Sequence, residues 1–162
     1  MIAITERELR KFHKEEFTDT SSLTSTQLGD VITLYPDSSP QWQKDALIAL
    51  FHVALLPTNW DSYGSIPPLP KVVKNAERLL MAIKFEDLPV PHIVPVSGGG
   101  IQIEWSISSR ELELEIMPDG SVEYLEVEAD KPFLEGELDA SNINQIQSLI
   151  LWLTHVTAGQ KR

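Results

Sequence analysis

Three stretches of the chain carry apolar residues at the 3.6-residue spacing of an α-helix. The first, at 42–56, is apolar nearly all the way round, which predicts a buried helix at the centre of the fold. The second, at about 70–84, has one apolar stripe and a charged opposite side, and it predicts a surface helix. The third, at 143–156, follows Asp139 and Ser141, either of which is a suitable N-cap residue.

The apolar spacing changes from 3.6 to two after the glycine run at 98–100. Apolar and polar residues alternate over 101–107 and again over 111–116, which is the pattern of half-buried strands. A two-residue turn between these strands places Ile103 opposite Leu114, so that all the apolar side chains share one face. A shift of one residue would turn that apolar set toward solvent.

The Pro-Asp-Gly sequence at 118–120 predicts the next turn and the pairing of a third strand. A three-residue turn with Gly120 in the left-handed conformation places Ile116 opposite Val122. The segment at 87–96, "DLPVPHIVPV", is extended because of its prolines and enters a further strand. The sequence therefore predicts an antiparallel meander.

These elements predict an α+β fold with helices packed on one face of a three- to four-stranded antiparallel sheet, a two-layer arrangement. The 162 residues are interpreted as a single domain with a core at 39–159. Residues 1–38 are a candidate peripheral segment, with a short helix predicted at about 5–17 and a short strand at 31–35.

Composition excludes several kinds of site. The chain has no cysteine, so zinc–thiolate sites, redox pairs and thiol nucleophiles are excluded. Its first residues are charged where a secretory signal needs an apolar run, and the longest apolar run, "ALIALFHVALL", is too short to cross a bilayer. We therefore expect a cytoplasmic protein with no membrane partner.

The net charge of −11 is concentrated in one part of the chain. Residues 101–139 hold twelve Asp and Glu against one Arg and one Lys, whereas the remainder has twelve acidic and eleven basic side chains. Such a field repels phosphate backbones and attracts basic surfaces. The sequence therefore predicts no direct nucleic-acid binding and favours a basic protein partner.

The register that buries the apolar side chains also crowds glutamates on the opposite face. It places Glu113 opposite Glu104 and Glu115 opposite Glu123, and like charges across strands are destabilising. Three interpretations stay open: an ordinary solvated face, a docking face for a basic protein, and a carboxylate cluster for a divalent cation. The candidate partner-binding residues on this face are Glu104, Glu111, Glu113, Glu115, Glu123 and, as an apolar contact, Leu125.

The longest internal connection, "LPTNWDSYGSIPPLP", holds Trp60, Asp61 and Tyr63. In a structural interpretation, the aromatic side chains fill the end of the helical layer and the polar ones order the turn. In a functional interpretation, the loop is an aromatic-walled recognition site with Asn59 and Asp61 as its polar groups. Trp60, Asp61 and Tyr63 are therefore also candidate partner-binding residues.

No motif of a known catalytic chemistry is present in the sequence. The four histidines are not at metal-ligand spacing with one another. "SGGGIQ" lacks the lysine and the following helix of a phosphate-binding loop. We therefore predict no catalytic residue, no cofactor and no metal site.

The segments "LPTNWDSYGS", "VPVSGGGIQIEW" and "RELELEIMPDGSVEYL" together resemble an uncharacterised family of small bacterial proteins. Its members share an Asn-Trp-Asp-x-Tyr-Gly loop and a strand-Pro-Asp-Gly-strand hairpin, and the resemblance covers about residues 55–127. The function of the family is unknown, so the resemblance implies no activity and no catalytic residue. An association with short bacterial gene pairs implies toxin neutralisation or a related defence role.

We expect a non-enzymatic protein–protein interaction module, antitoxin-like or related to immunity and defence, that presents its acidic sheet face to a basic partner. One alternative is a small hydrolase that uses Asp61 of the aromatic loop as acid or base. Another is a homo-oligomeric structural protein, for example a homodimer joined through "VEYLEVE" at 122–128 as an edge strand.

Overall fold

The computed structural model describes residues 39–139 and 141–155, which form three helices and five strands. The helices are α1 (Gln41–Ala54), α2 (Pro70–Ala82) and α3 (Ile143–Thr154). The strands are β1 (His92–Val96), β2 (Gly100–Ile107), β3 (Arg110–Ile116), β4 (Val122–Glu128) and β5 (Lys131–Leu138). The helix predicted at 5–17, the strand predicted at 31–35 and the last residues of the third predicted helix lie outside the described residues.

The five strands form one antiparallel sheet in which spatial order follows chain order. Ile103 pairs with Leu114, and Ile116 pairs with Val122. Gly120 has a φ of 100°, which is the left-handed conformation that the three-residue turn requires. The α+β class and the predicted register of β2, β3 and β4 are therefore confirmed.

The sheet has five strands rather than the predicted three to four, because β5 was not predicted. Its sequence, "KPFLEGEL", contains Pro132 and Gly136 and lacks a clean apolar alternation, so it gives a weak strand signal. Its pairing with β4 also shifts register between Glu126 and Val127, as in a β-bulge. With β5 in place, β4 is an interior strand, and the prediction that 122–128 forms an edge strand is wrong.

One core joins the helices to the inner face of the sheet. α1 packs against α2 and β1, α2 also contacts β2 and β3, and α3 contacts α2, β2 and β3. Trp105 of β2 meets Trp42 of α1 edge to face, with ring centres 6.4 Å apart. The inner face contributes Ile93, Ile101, Ile103, Trp105, Leu112, Leu114, Ile116, Val122 and Leu138.

α1 lies deep in the fold, as its nearly continuous apolar surface predicts. Within the helix, Gln41 and His52 are exposed and the other residues are buried or half-buried. The buried Gln43 amide donates to the carbonyls of Leu80 and Ile83, at 2.9 and 2.8 Å, and so satisfies acceptors at the end of α2. None of the helices within 39–155 has the length and apolar content that crossing a membrane requires.

α3 begins after Asn142, whose side-chain oxygen accepts a hydrogen bond from the Gln145 amide at 3.2 Å. The prediction that Asp139 or Ser141 caps this helix is wrong. Asp139 instead accepts bonds from the amide and the hydroxyl of Ser141, at 2.9 and 2.7 Å, in the turn before the helix.

Candidate protein-binding surface

The glutamates of the outer face stand in rows across the strands, because paired residues lie side by side on one face of a sheet. The first row is Glu104, Glu113, Leu125 and Glu135, from β2 to β5. The second row is Gln102, Glu115, Glu123 and Glu137. We define the acidic face as the outward-facing residues Glu104, Glu111, Glu113, Glu115, Glu123, Leu125, Glu135 and Glu137.

The acidic face brings together the six residues that the sequence predicted for it, from Glu104 to Leu125. It also includes Glu135 and Glu137, which sequence reasoning missed together with their strand. Glu123 pairs with Glu137, and Leu125 pairs with Glu135, so β5 extends both rows by one carboxylate. A recognisable strand signal in "KPFLEGEL" would have been needed to find them.

Positive charge is directed away from the acidic face. Among the outward positions of β1 to β5, none is Lys or Arg. Arg110 of β3 binds Glu128 at 3.0 Å and lies over the Trp152 ring of α3. At the β1 end of the first row, His92 Nδ1 lies 3.4 Å from Glu104 Oε2, and both side chains are accessible. The charge of the face is therefore not balanced by Lys or Arg side chains of the sheet.

An open groove of about 440 Å³ runs over β3, β4 and β5 within the acidic face. Its lining is Glu113, Glu115, Glu123, Tyr124, Leu125, Glu135, Gly136 and Glu137. The carboxylates spread along flat rows, and no three His, Asp or Glu side chains in the described ranges are arranged to hold a metal ion. The groove thus combines dispersed negative charge with a small apolar area, which suits a cationic side chain with an aliphatic stem.

Glu113 is the central carboxylate of the acidic face. Gln102 Nε2 donates to Glu113 Oε2 at 3.1 Å. Partial burial raises the pKa of the Glu113 carboxyl, and the charges of neighbouring carboxylates, Glu104 first among them, raise it further. A positive group placed near Glu113 would relieve this repulsion.

Glu126 of β4 faces the opposite way, into the inner side of the sheet. Its side chain and backbone together are only 4% exposed, and it stands between Leu112 and Leu134 in the strand pairing. Burial raises the pKa of the Glu126 carboxyl, whereas the charge of Arg110 acts to lower it. In 122–128 the apolar residues lie on the inner face up to Tyr124 and on the outer face after it. This change in the alternation leaves the inward position at 126 to a glutamate.

The aromatic loop, residues 56–70, uses its polar side chains to hold its own backbone. Asn59 Oδ1 accepts a bond from the Gly64 amide at 2.7 Å, and Asp61 Oδ1 accepts one from the Tyr63 amide at 2.9 Å. Asp61 Oδ2 accepts a bond from the Ser65 hydroxyl at 2.6 Å. Tyr63, however, is 93% exposed as a residue, so the structural interpretation that its ring fills the helical layer is wrong for this residue.

The aromatic loop is anchored on the glycine turn between β1 and β2, at one end of the sheet. Ser65 Oγ lies 2.8 Å from Ser97 Oγ, and the Leu69 amide donates to the Gly99 carbonyl at 3.0 Å. A side chain at Gly99 would place its Cβ 3.0 Å from Leu69 Cγ, so the contact is close. The structure thus joins two sequence motifs, but it places Trp60, Asp61 and Tyr63 in a loop separate from the strands of the acidic face.

Asp61 is engaged on both of its oxygens within the loop. The bond from the Ser65 hydroxyl, followed by the bond from the Tyr63 amide, lowers the pKa of the Asp61 carboxyl. A carboxylate with a lowered pKa is a weaker base and a poorer acid near neutral pH. These contacts favour a structural role for Asp61 over the hydrolase alternative.

Comparisons with protein-family models, with curated proteins and with solved structures found no match. The family resemblance therefore stays a prediction, and the function is inferred from the residues of this chain alone.

Proposed function

We propose that this protein is a non-enzymatic interaction module that binds a basic protein partner on the acidic face. The observation that carries the proposal is the clustering of seven glutamates around Leu125, with neither Lys nor Arg at the outward positions of the five strands. The finer assignment to an antitoxin-like or defence role is part of the same proposal, since neutralising a basic toxin is one task that such a face suits.

Charge and apolar area have different roles in the proposed complex. Clustered carboxylates attract a basic surface from a distance and accelerate association, and salt weakens this effect by screening. Leu125 and the aliphatic parts of the glutamates offer area that a partner buries, which slows dissociation. We therefore expect binding whose association rate falls steeply with ionic strength.

The test begins with the native host, from which the immobilised protein captures its partner at low salt. The purified partner is then measured against the wild type and against Glu113→Lys with Glu115→Lys. Removing two carboxylates and adding two cations at the centre of the face is expected to lower the association rate constant by about 10-fold or more at low salt.

A charge-matched control distinguishes the effect of charge on the acidic face from the effect of overall net charge. Glu86→Lys with Asp87→Lys makes the same change in net charge on exposed residues of the α2–β1 connection. We expect this control to keep most of the wild-type association rate. Equal loss in both double variants, or unchanged binding in the Glu113 and Glu115 variant, would refute docking on the acidic face.

A further inference from the structure

β5 is the last strand of the sheet, and one of its two edges has no strand beside it. Among residues 39–139 and 141–155, β5 pairs with β4 alone. Its Phe133 and Leu134 are 58% and 50% exposed. An unpaired edge presents backbone N–H and C=O groups that can pair with another strand. The opposite edge of the sheet is less suited to pairing, because the short β1 contains Pro95, which has no N–H.

The hydrogen bonds of the neighbouring hairpin show which groups of β5 point to this edge. The Met117 amide donates to the Ser121 carbonyl at 2.9 Å, which makes these two residues a hydrogen-bonded pair. Because bonded and non-bonded pairs alternate along an antiparallel ladder, Leu125 directs its backbone groups to β3. Its partner Glu135 therefore directs its own N–H and C=O away from β4, and so does Glu137 two residues further on.

A side chain of α3 already pairs with the end of this edge. Gln145 Nε2 donates to the Glu137 carbonyl at 3.0 Å, and Gln145 Oε1 accepts a bond from the Asp139 amide at 3.3 Å. The side-chain amide thus contacts the edge as a peptide group of an added strand would. Within the described part of the chain, the N–H and C=O of Glu135 and the N–H of Glu137 have no partner. We define the open edge as residues 133–137.

The side chains of the open edge determine which strand it suits. Glu135 and Glu137 end the two rows of the acidic face, so the outward residues of an added strand would lie beside these carboxylates. The inward residues of that strand would lie beside Leu134 and Gly136. In antiparallel pairing, a basic residue directly opposite Glu135 would also exchange both backbone bonds with it. The edge therefore suits a strand in which basic and apolar residues alternate.

We infer that the basic partner of the acidic face adds an extended segment of alternating basic and apolar residues to the open edge, as a further antiparallel strand. This inference rests on the proposed function and specifies how the partner is held. A second copy is a poorer occupant, because aligning two open edges would bring Glu135 and Glu137 of one copy close to the same residues of the other. Residues 31–35, predicted as a strand, contain no basic side chain.

The probe is a synthetic peptide of about eight residues that alternates lysine and valine. It is titrated at low salt into the full-length, isotope-labelled protein, and amide exchange is read for each residue by NMR. In the free protein we expect rapid exchange at Glu135 and Glu137, whereas the Leu138 amide, which points to β4, is protected. At a peptide concentration of about ten times its Kd, exchange at Glu135 and Glu137 should slow by about 10-fold, because only the unbound fraction exchanges.

Two N-methylated peptides distinguish strand addition from attraction by charge alone. In the antiparallel pairing, the lysine amides point to β5 and the valine amides point away from it. Methylation of the lysine amides is expected to weaken binding by about 10-fold or more, because the methyl groups displace the bonds to the edge. Methylation of the valine amides is the matched control, with the same charge, and should stay within about threefold of the parent peptide. Neither peptide changes the protein, so the comparison does not depend on its folding.

Glu135→Pro closes the edge from the side of the protein. Because the Glu135 N–H points away from β4, proline removes a donor that the fold does not use. Glu135→Val is the control, since it also removes the charge but keeps the N–H. We expect Glu135→Pro to bind the parent peptide about 10-fold more weakly than Glu135→Val does. Protection of the Leu138 amide in both variants shows that β5 still pairs with β4.

Three outcomes would overturn the inference. Protection of Glu135 and Glu137 in the free protein would mean that the chain itself, or at high concentration a second copy, covers the edge. Equal binding by the two methylated peptides would mean that charge alone holds the peptide, and the proposed function would then stand without strand addition. Absence of peptide binding would also remove the inference, whereas the proposed function is decided separately by the association rate of the captured partner.

Discussion

Arg110 joins β3 to the C-terminal end of α3, and its replacement by alanine tests how that helix is attached to the sheet. Its Nε lies 3.0 Å from Glu128 Oε1, and its Nη1 donates to the carbonyls of Trp152 and His155, at 2.6 and 2.5 Å. Its guanidinium carbon is 5.1 Å from the centre of the Trp152 ring, which also stacks with Phe133 at 5.9 Å. Arg110→Ala removes the three hydrogen bonds and the cation–π contact of Arg110 at once.

The expected loss of stability can be worked out from the contacts of the Arg110 side chain, which is mostly buried, with 13% exposed. A hydrogen bond from a charged donor contributes about 1.5–3 kcal/mol. A cation at a helix C-terminus adds about 0.3–1 kcal/mol, and a cation–π contact adds about 0.5–2 kcal/mol. Because contributions within one group are not additive, we expect a net loss of about 3 kcal/mol in the free energy of unfolding. For a chain of this size, that loss lowers Tm by about 6–12 °C.

Urea unfolding followed by tryptophan fluorescence measures the free energy, and thermal unfolding followed by circular dichroism measures Tm. Arg110→Lys is the matched control, since lysine keeps the charge but lacks the planar fork that reaches several acceptors. We expect it to lose about half as much stability as Arg110→Ala. A loss below about 1 kcal/mol for Arg110→Ala would refute the argument that this residue fixes α3 on the sheet.

Two further predictions concern the sheet. Because folding raises the pKa of the Glu113 carboxyl, this group contributes most to stability below its ordinary pKa of 4.5, and the contribution is lost as pH rises through the raised pKa. The free energy of unfolding of Glu113→Gln should therefore equal that of the wild type near pH 4 and exceed it at pH 7 by up to about 0.5 kcal/mol, after allowance for solvent screening. A difference in urea unfolding that does not change with pH would contradict this prediction. Gly100→Ala should lower the free energy of unfolding by about 1–3 kcal/mol, because the new Cβ would lie 3.0 Å from the backbone oxygen of Ile116. Gly136→Ala should lower it by less in the same urea assay, because the new Cβ meets the Tyr124 ring, which can move. A larger loss for Gly136→Ala than for Gly100→Ala would contradict this prediction.

Local signals account for the part of the fold that the sequence predicted. In β2, β3 and β4 the alternation of apolar and polar residues and the chemistry of the Pro-Asp-Gly turn act over a few neighbouring residues. β5 has neither signal. Its position depends instead on its pairing with β4 and on the contact of Phe133 with Trp152. The bulge between Glu126 and Val127 also interrupts its alternation. Tertiary contacts of this kind cannot be read from a single sequence.

The two candidate sites also differ in how far local sequence signals could predict them. The acidic face was predictable because one register that buries the apolar side chains also determines which glutamates face outward. The attachment of the aromatic loop was not, since Ser65 and Ser97 lie 32 residues apart in the chain. The exposure of Tyr63 was left open, because the sequence allowed its ring either to fill the end of the helical layer or to stand in a recognition loop.

The acidic face imposes a cost that an ordinary solvated face would avoid. Glu104 opposes Glu113, Glu115 opposes Glu123, and Glu123 opposes Glu137. Each like-charge pair costs a few tenths of a kcal/mol, or about 1 kcal/mol for the three, which a core of this size tolerates. Alternating lysine with glutamate at the same positions would keep the sheet equally hydrated and turn each repulsion into an attraction. Solvation therefore does not require this arrangement, whereas a partner that brings positive charge turns the same repulsion into binding energy.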